Sequence, residues 1–170
     1  MTKNATAVVF FLGVLAPLSA SADDSLAKFQ GGIGVIPVSS APGPAPTAAT
    51  VNRNIVRGVQ PPGQIWVISD LKADVKADGS IRVDGRGLLL GGGNGIAGNA
   101  NARVFAPLIC EAAAPFTERN TNLTGVALEP DGDFRIDDVL TPAPADCASP
   151  VLLIRNAANQ AWFAAGIPKR

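Results

Sequence analysis

Gln64-Ile65-Trp66-Val67-Ile68-Ser69-Asp70-Leu71-Lys72-Ala73-Asp74-Val75-Lys76-Ala77-Asp78-Gly79-Ser80-Ile81-Arg82-Val83-Asp84 is the stretch that decides the fold class. Ile65, Val67, Leu71, Ala73 and Val75 fall on one parity and Asp70, Lys72, Asp74 and Lys76 on the other. That period of two is the mark of a half-buried strand. Asp78-Gly79 then supplies a two-residue turn signal, after which Ile81 and Val83 alternate with Arg82 and Asp84. The stretch therefore reads as a β-hairpin with one apolar and one charged face.

Working outward, the same signals repeat. Arg103 to Glu111 predicts a strand ending at Cys110. Leu123 to Glu129 and Phe134 to Leu140 flank the turn Pro130-Asp131-Gly132-Asp133 and predict a second hairpin. Val151 to Arg155 is apolar on both faces, as a central strand would be, and Asn156 to Gln160 turns the chain into Ala161 to Ile167. About seven strands at close spacing, with no amphipathic helix, predict an all-β fold. The architecture expected is an antiparallel β-sandwich, with an open β-barrel as the alternative.

The N-terminal third reads differently. Met1 to Ala22 has the parts of a secretory signal peptide: Lys3, an apolar run from Ala7 to Leu18, and Ala20-Ser21-Ala22 as the cleavage end. The apolar run is too short to span a bilayer, which takes roughly 20 residues. No second long apolar run follows, so no transmembrane segment is expected after signal removal. Residues 23–58 hold Gly31, Gly32 and Gly34, then Ser39-Ser40-Ala41-Pro42-Gly43-Pro44-Ala45-Pro46, and read as a flexible Pro/Ala/Gly-rich arm. Short strands near Ile33 to Val38 and Asn54 to Val59 are the exceptions considered. The expected division is thus signal peptide 1–22, arm 23–58 and β-domain 59–170, in a secreted or periplasmic protein.

Two cysteines fit that compartment. Cys110 and Cys147, 37 positions apart, predict one structural disulfide. Closing a loop of that size is worth about 4 kcal/mol by the chain-entropy argument.

Charge and composition exclude several functions. Fourteen bases against fourteen acids give no excess of positive charge for a nucleic-acid backbone. With no histidine, imidazole general bases, Ser-His or Cys-His nucleophiles and histidine metal ligands are all absent. Paired carboxylates remain as a catalytic option. Glu111, Glu118 and Asp138 are the residues a small hydrolase acting on an extracellular polymer would draw on, but their spacing marks no acid/base couple. No catalytic residue, cofactor-binding residue or metal ligand is assigned, no cofactor is expected, and the protein is read as a non-enzyme.

The remaining motifs have ordinary explanations beside functional ones. Gly93-Asn94-Gly95-Ile96-Ala97-Gly98 matches GxGxxG, yet Asn99-Ala100-Asn101-Ala102 leads straight to the next strand, leaving no room for the helix that would hold a pyrophosphate. It reads as a loop between strands, with Asn94, Asn99 and Asn101 as candidate ligand contacts because loops on a rigid scaffold carry function. Asp131, Asp133, Asp137 and Asp138 read as turn and surface acids. Calcium at Asp131/Asp133 stays open, although the spacing is not that of an EF-hand. Asp70, Asp74 and Asp78 are expected to pair across strands with Lys72, Lys76 and Arg82. Trp66 and Trp162 have the opposite parity to their apolar neighbours and are candidate aromatic contacts on an outer face. Asn122-Leu123-Thr124 is a formal glycosylation acceptor.

Val104-Phe105-Ala106-Pro107-Leu108-Ile109-Cys110, Gly132-Asp133-Phe134-Arg135-Ile136, Cys147-Ala148-Ser149-Pro150-Val151-Leu152-Leu153-Ile154-Arg155 and Ala161-Trp162-Phe163-Ala164-Ala165-Gly166 together resemble small exported bacterial proteins of unassigned function that carry a two-cysteine β-domain. The resemblance covers only the C-terminal half. It implies core strands and half-cystines and brings no catalytic residue. The function expected is a non-catalytic binding or envelope-associated module, its partner a glycan or an envelope protein, with a purely structural surface protein as a further alternative.

Overall fold

The computed structural model describes residues 24–41 and 50–169. The signal segment and the Pro42-to-Ala49 part of the arm lie outside the described residues. Fourteen strands occur among the described residues: β1 (Ser25–Gly34), β2 (Val38–Ala41), β3 (Thr50–Arg53), β4 (Trp66–Val67), β5 (Asp70–Lys76), β6 (Ser80–Arg86), β7 (Leu89–Leu90), β8 (Arg103–Phe105), β9 (Pro107–Ile109), β10 (Arg119–Asn120), β11 (Val126–Ala127), β12 (Phe134–Val139), β13 (Val151–Asn156) and β14 (Trp162–Pro168). All pairings are antiparallel and no helix is present among these residues. The all-β expectation stands.

The architecture is the barrel rather than two stacked sheets. One ten-stranded sheet runs β10-β9-β13-β14-β1-β5-β6-β12, with β8 pairing β13 and β11. It closes on itself where Asn120 and Thr141 exchange two backbone hydrogen bonds, Asn120 N–H to Thr141 O at 3.0 Å and the reverse at 2.9 Å. β8 and β9 both lie along β13, and act as one strand broken at Ala106, whose N–H goes to Thr121 Oγ1 instead. β10 and β11 are likewise one strand interrupted by a turn at Asn122–Gly125, closed by the Gly125 N–H to Asn122 O. The barrel wall therefore has the strand number at which side chains alone fill the interior.

The Asp70-to-Arg86 hairpin forms, with Asp74 opposite Arg82 and Val75 opposite Ile81; its loop is Ala77-Asp78-Gly79, one residue longer than the two-residue turn expected, which sets the register. Across the wall, register places Phe29, Ala73, Val83 and Ile136 in one buried row. On the other face it places Lys28, Asp74, Arg82 and Asp137 in one row and Gln30, Lys72, Asp84 and Arg135 in the next. Charge alternates along each row, so every outward side chain has an opposite charge or a polar group beside it. The pairs that come within ion-pair distance are long, such as Arg135–Asp84 at 3.8 Å and Arg82–Asp137 at 3.9 Å, and exposed. They favour register and solubility more than stability.

Three expectations need correction. First, the arm beginning at residue 23 is not an arm over its first part: β1 sits between β14 and β5, with Ala27, Phe29 and Val35 buried. Its glycines are there for geometry. Gly31 takes φ +91° at the bulge where the β1–β14 register shifts, and a Cβ at Gly34 would lie 2.2 Å from Trp66 O. Backbone closeness, not flexibility, is what those residues mark. Residues 54–60 are tied down as well: the Trp162 indole N–H donates to Asn54 O at 2.9 Å, and the Trp162 backbone N–H to Gln60 O. Second, the hairpin expected across Pro130–Asp133 does not form, because β11 pairs β8 while β12 pairs β6. Third, the strands number more than seven, since the expected stretches 64–76 and 103–111 are each broken in two and β1, β2, β3 and β10 carried little or no strand signal of their own.

Candidate functional site

The strand register sorts the barrel into two ends. Residues 34, 70, 86, 103, 127, 134, 156 and 162 meet at one end, and 25, 76, 80, 109, 119, 139, 151 and 168 at the other. The Gly/Asn loop, Trp66 and Trp162 belong to the first end, and the disulfide to the second.

At the first end the Gly91–Ala102 connection is an ordered series of turns. Ala97 N–H donates to Leu90 O, Leu90 N–H to Gly98 O, and Gly98 N–H to Gly95 O, each at 2.9 Å. No helix follows the glycines. Asn99 is a clamp: its Nδ2 donates to Leu128 O and Glu129 O, and its Oδ1 accepts the Asn101 N–H at 2.9 Å. Asn94 stands exposed at the tip. Ala97, Ala100 and Asn101 all have left-handed backbones, φ +64°, +51° and +49°. Left-handed non-glycine residues are held at a cost of order 1–3 kcal/mol each, less for Asn, and such strain gathers at functional sites.

Asn101 and Trp66 line one cleft of about 590 Å³, together with Arg103, Thr124, Asn156 and Phe163. That volume lies within the range of small-ligand sites, roughly 300–1,000 Å³. The Trp66 and Phe163 rings are stacked, with centroids 3.9 Å apart and planes 12° off parallel. Trp66 is only 4% exposed, which overturns its placement on an open outer face. The parity argument failed because β4 is a separate two-residue strand paired with β7, set off from β5 at Ile68-Ser69, so that Ile65 and Val67 are the exposed neighbours. Trp162 is 3% exposed, covered by residues 54–60, and does not line the cleft.

The polar groups of this cleft are uncharged apart from Arg103 and offer both donors and acceptors. Arg103 Nε and Nη2 donate to Thr124 O and Gly125 O, which holds the 123–125 turn against β8. Thr124 Oγ donates to Asn122 Oδ1 and Asn156 Oδ1 accepts the Ala158 N–H. The Trp66 indole N–H, the Asn101 side-chain amide and Asn156 Nδ2 have no partner among the described residues. The sealed polar atoms without a partner are Arg119 Nε and Asn120 Oδ1, far from this cleft, so the Trp66 N–H is not walled off. Buried indole N–H groups ordinarily find an acceptor.

A larger groove of about 820 Å³ runs where the barrel seam parts between β11 and β12, lined by Lys72, Arg86, Glu129, Asp133 and Arg135 among others. Its charges are largely matched: Asp70 and Asp84 face Lys72 and Arg135, and Asp133 Oδ1 accepts the Gly87 N–H. The turn acids have local work: Asp131 Oδ1 accepts the Asp133 N–H, and Asp138 accepts the N–H groups of Asn122 and Val139. Among the described residues no three His, Cys, Asp or Glu side chains are grouped to hold a metal ion.

The second end is a structural clasp. Cys110 and Cys147 are bonded to each other. Arg57 reaches across from the N-terminal segment to Glu111 O and to Ser149 Oγ, and lies over the Phe116 ring at 5.2 Å. Glu111 accepts the Thr117 N–H and pairs with Arg119 at 3.0 Å. The Thr117 hydrogen bond chiefly, with the Arg119 charge adding to it, holds the Glu111 carboxyl down at about 2. Glu118 pairs with Arg155, a 5% exposed guanidinium that also donates to Gln160 O and lies over Phe105. Sequence reasoning missed these arginine contacts and the roles of Phe163, Thr124 and Asn156 in the cleft, since each depends on strands far apart in the chain.

No family model, curated protein or solved structure matches the chain. No helix among the described residues is long and apolar enough to cross a membrane.

Proposed function

We propose that the protein is an exported, non-catalytic binding module whose ligand seats in the cleft between Trp66, Asn101 and Asn156. The observation that carries this reading is the set of unpartnered donors gathered at that cleft on an otherwise tightly bonded barrel end. Backbone turns hold those donors in place before any ligand arrives, which lowers the ordering cost of binding.

The carboxylates that a hydrolase would need support the same reading. Glu111 is held ionised by its hydrogen bonds and by Arg119, Glu118 is committed to Arg155, and Asp138 to two backbone N–H groups. Export rests on the signal-like segment 1–22 and is favoured by the disulfide.

The test is retention. The processed protein, recovered from outside the cytoplasm and immobilised, is offered envelope glycans and detergent-solubilised envelope proteins. Retention of a component is the expected result. Failure to retain anything from either set, with a folded protein on the support, would leave a purely structural surface role.

A further inference from the structure

We infer that the ligand of the Trp66 cleft is a neutral saccharide, read through its oxygen atoms; this rests on the binding-module reading above. The groups a ligand meets there are the Trp66 indole N–H, the Asn101 amide, with its donor and its acceptor, and Asn156 Nδ2, none of them with a partner among the described residues. They call for an uncharged ligand that mainly accepts and also donates, which the ring and acyl oxygens and the hydroxyls of a sugar supply. The one charged side chain on the wall, Arg103, already donates to two carbonyls, and no carboxylate lines the cleft. Neither a cationic nor a strongly anionic ligand is matched by that wall.

The apolar part fits the same class. The walls carry Leu123, Ala157 and the edges of the Trp66–Phe163 stack, against which the C–H face of a sugar ring packs. One face of Trp66 is covered by Phe163 and the residue is nearly buried, so it does not form an open aromatic platform. A peptide is the less suited ligand. The cleft is built from the turns at residues 100–102, 123–124 and 156–158, and offers an extended chain no free strand edge to pair with.

Calorimetry of the processed protein with neutral oligosaccharides, built separately from glucose, mannose, galactose and N-acetylglucosamine, tests the inference. Asn156→Asp and Asn101→Asp are the informative variants. Each removes the amide donors yet keeps the oxygen that bonds the neighbouring turn, or the tolerance for a left-handed backbone, so the fold is retained. The expected result is binding by at least one series that is little changed by added salt and weakened about threefold to tenfold by each variant. Saccharide binding that neither variant alters would overturn the inference, as would binding that salt abolishes, which points to the charged seam groove instead. Absence of binding across all four series would also overturn it. In that last case retention of an envelope component on the support leaves the binding-module reading standing, and no retention removes both.

Discussion

Phe29→Ala separates a barrel strand from a flexible arm at a single position. The Phe29 side chain is 3% exposed, sits in the buried row with Ala73, Val83 and Ile136, and lies against the Gly166 backbone. A fully buried phenyl ring cut back to a methyl costs about 3–5 kcal/mol, transfer and cavity together. For a domain with a total stability of roughly 5–15 kcal/mol that is a large fraction. At about 3 °C per kcal/mol for a chain of this size, Tm should fall by on the order of 10–15 °C. Thermal and urea melts followed by tryptophan fluorescence measure the two quantities, with exposed Gln30→Ala, the next residue along the same strand, as the control expected to stay within about 0.5 kcal/mol. A Phe29→Ala change as small as the control would refute the placement of β1 in the wall.

Replacing Cys110 and Cys147 by Ala is expected to cost about 4 kcal/mol for a loop of 37 positions, read as a drop in urea midpoint; an unchanged midpoint would show the bridge to be incidental. Gly34→Ala places a Cβ 2.2 Å from Trp66 O, so β4 must shift; about 1–3 kcal/mol of destabilisation and loss of Trp66-cleft ligand binding should appear together, and normal binding would contradict the contact. The folded-state carboxyl of Glu111, at about 2 against an ordinary 4.5, contributes stability that is present above 4.5 and lost as pH falls toward 2, and Glu111→Gln should remove that part of the acid sensitivity in urea midpoints. Lys76, raised above its ordinary value by the Asp24 hydrogen bond and charge, contributes in the opposite direction, with stability lost only as pH rises through its folded value, so a step in midpoint between pH 6 and 8 would contradict both assignments.

The parts of the fold legible in the sequence were those where one face is wet. From Asp70 to Arg86 the alternation of Leu71, Ala73, Val75, Ile81 and Val83 with charged residues gave both strands and the place of the turn, while the register came from a loop one residue longer than the Asp78-Gly79 signal. In β1 the alternation of Ala27 and Phe29 with Lys28 and Gln30 is short, and glycines follow it. Gly31 and Gly34 in β1 looked like punctuation, while the structure uses them for a bulge and for a close approach to Trp66. The Pro130–Asp133 turn misled because local turn chemistry says where a chain reverses, not which neighbour each strand then pairs with. Of the candidate contacts, Asn101 and Trp66 meet in one cleft, Asn99 is a clamp, Asn94 stands outside, and Trp162 is buried beneath residues 54–60. The residues that complete the cleft come from segments as far apart in the chain as Trp66 in β4 and Phe163 in β14, a proximity that only the closed wall creates.

The proposed cleft requires the Trp66 N–H to meet the ligand, while the Trp162 N–H is spent inside the protein on Asn54 O. Nitrogen-15 correlation spectra resolve the two indole groups directly, assigned by Trp66→Phe and Trp162→Phe. In the free protein the Trp66 indole proton should exchange with water much faster than that of Trp162, which donates to Asn54 O. On titration with the binding oligosaccharide it should shift and become protected, with Trp162 unmoved. A Trp66 proton that is already protected and stays unmoved at saturation would contradict the account.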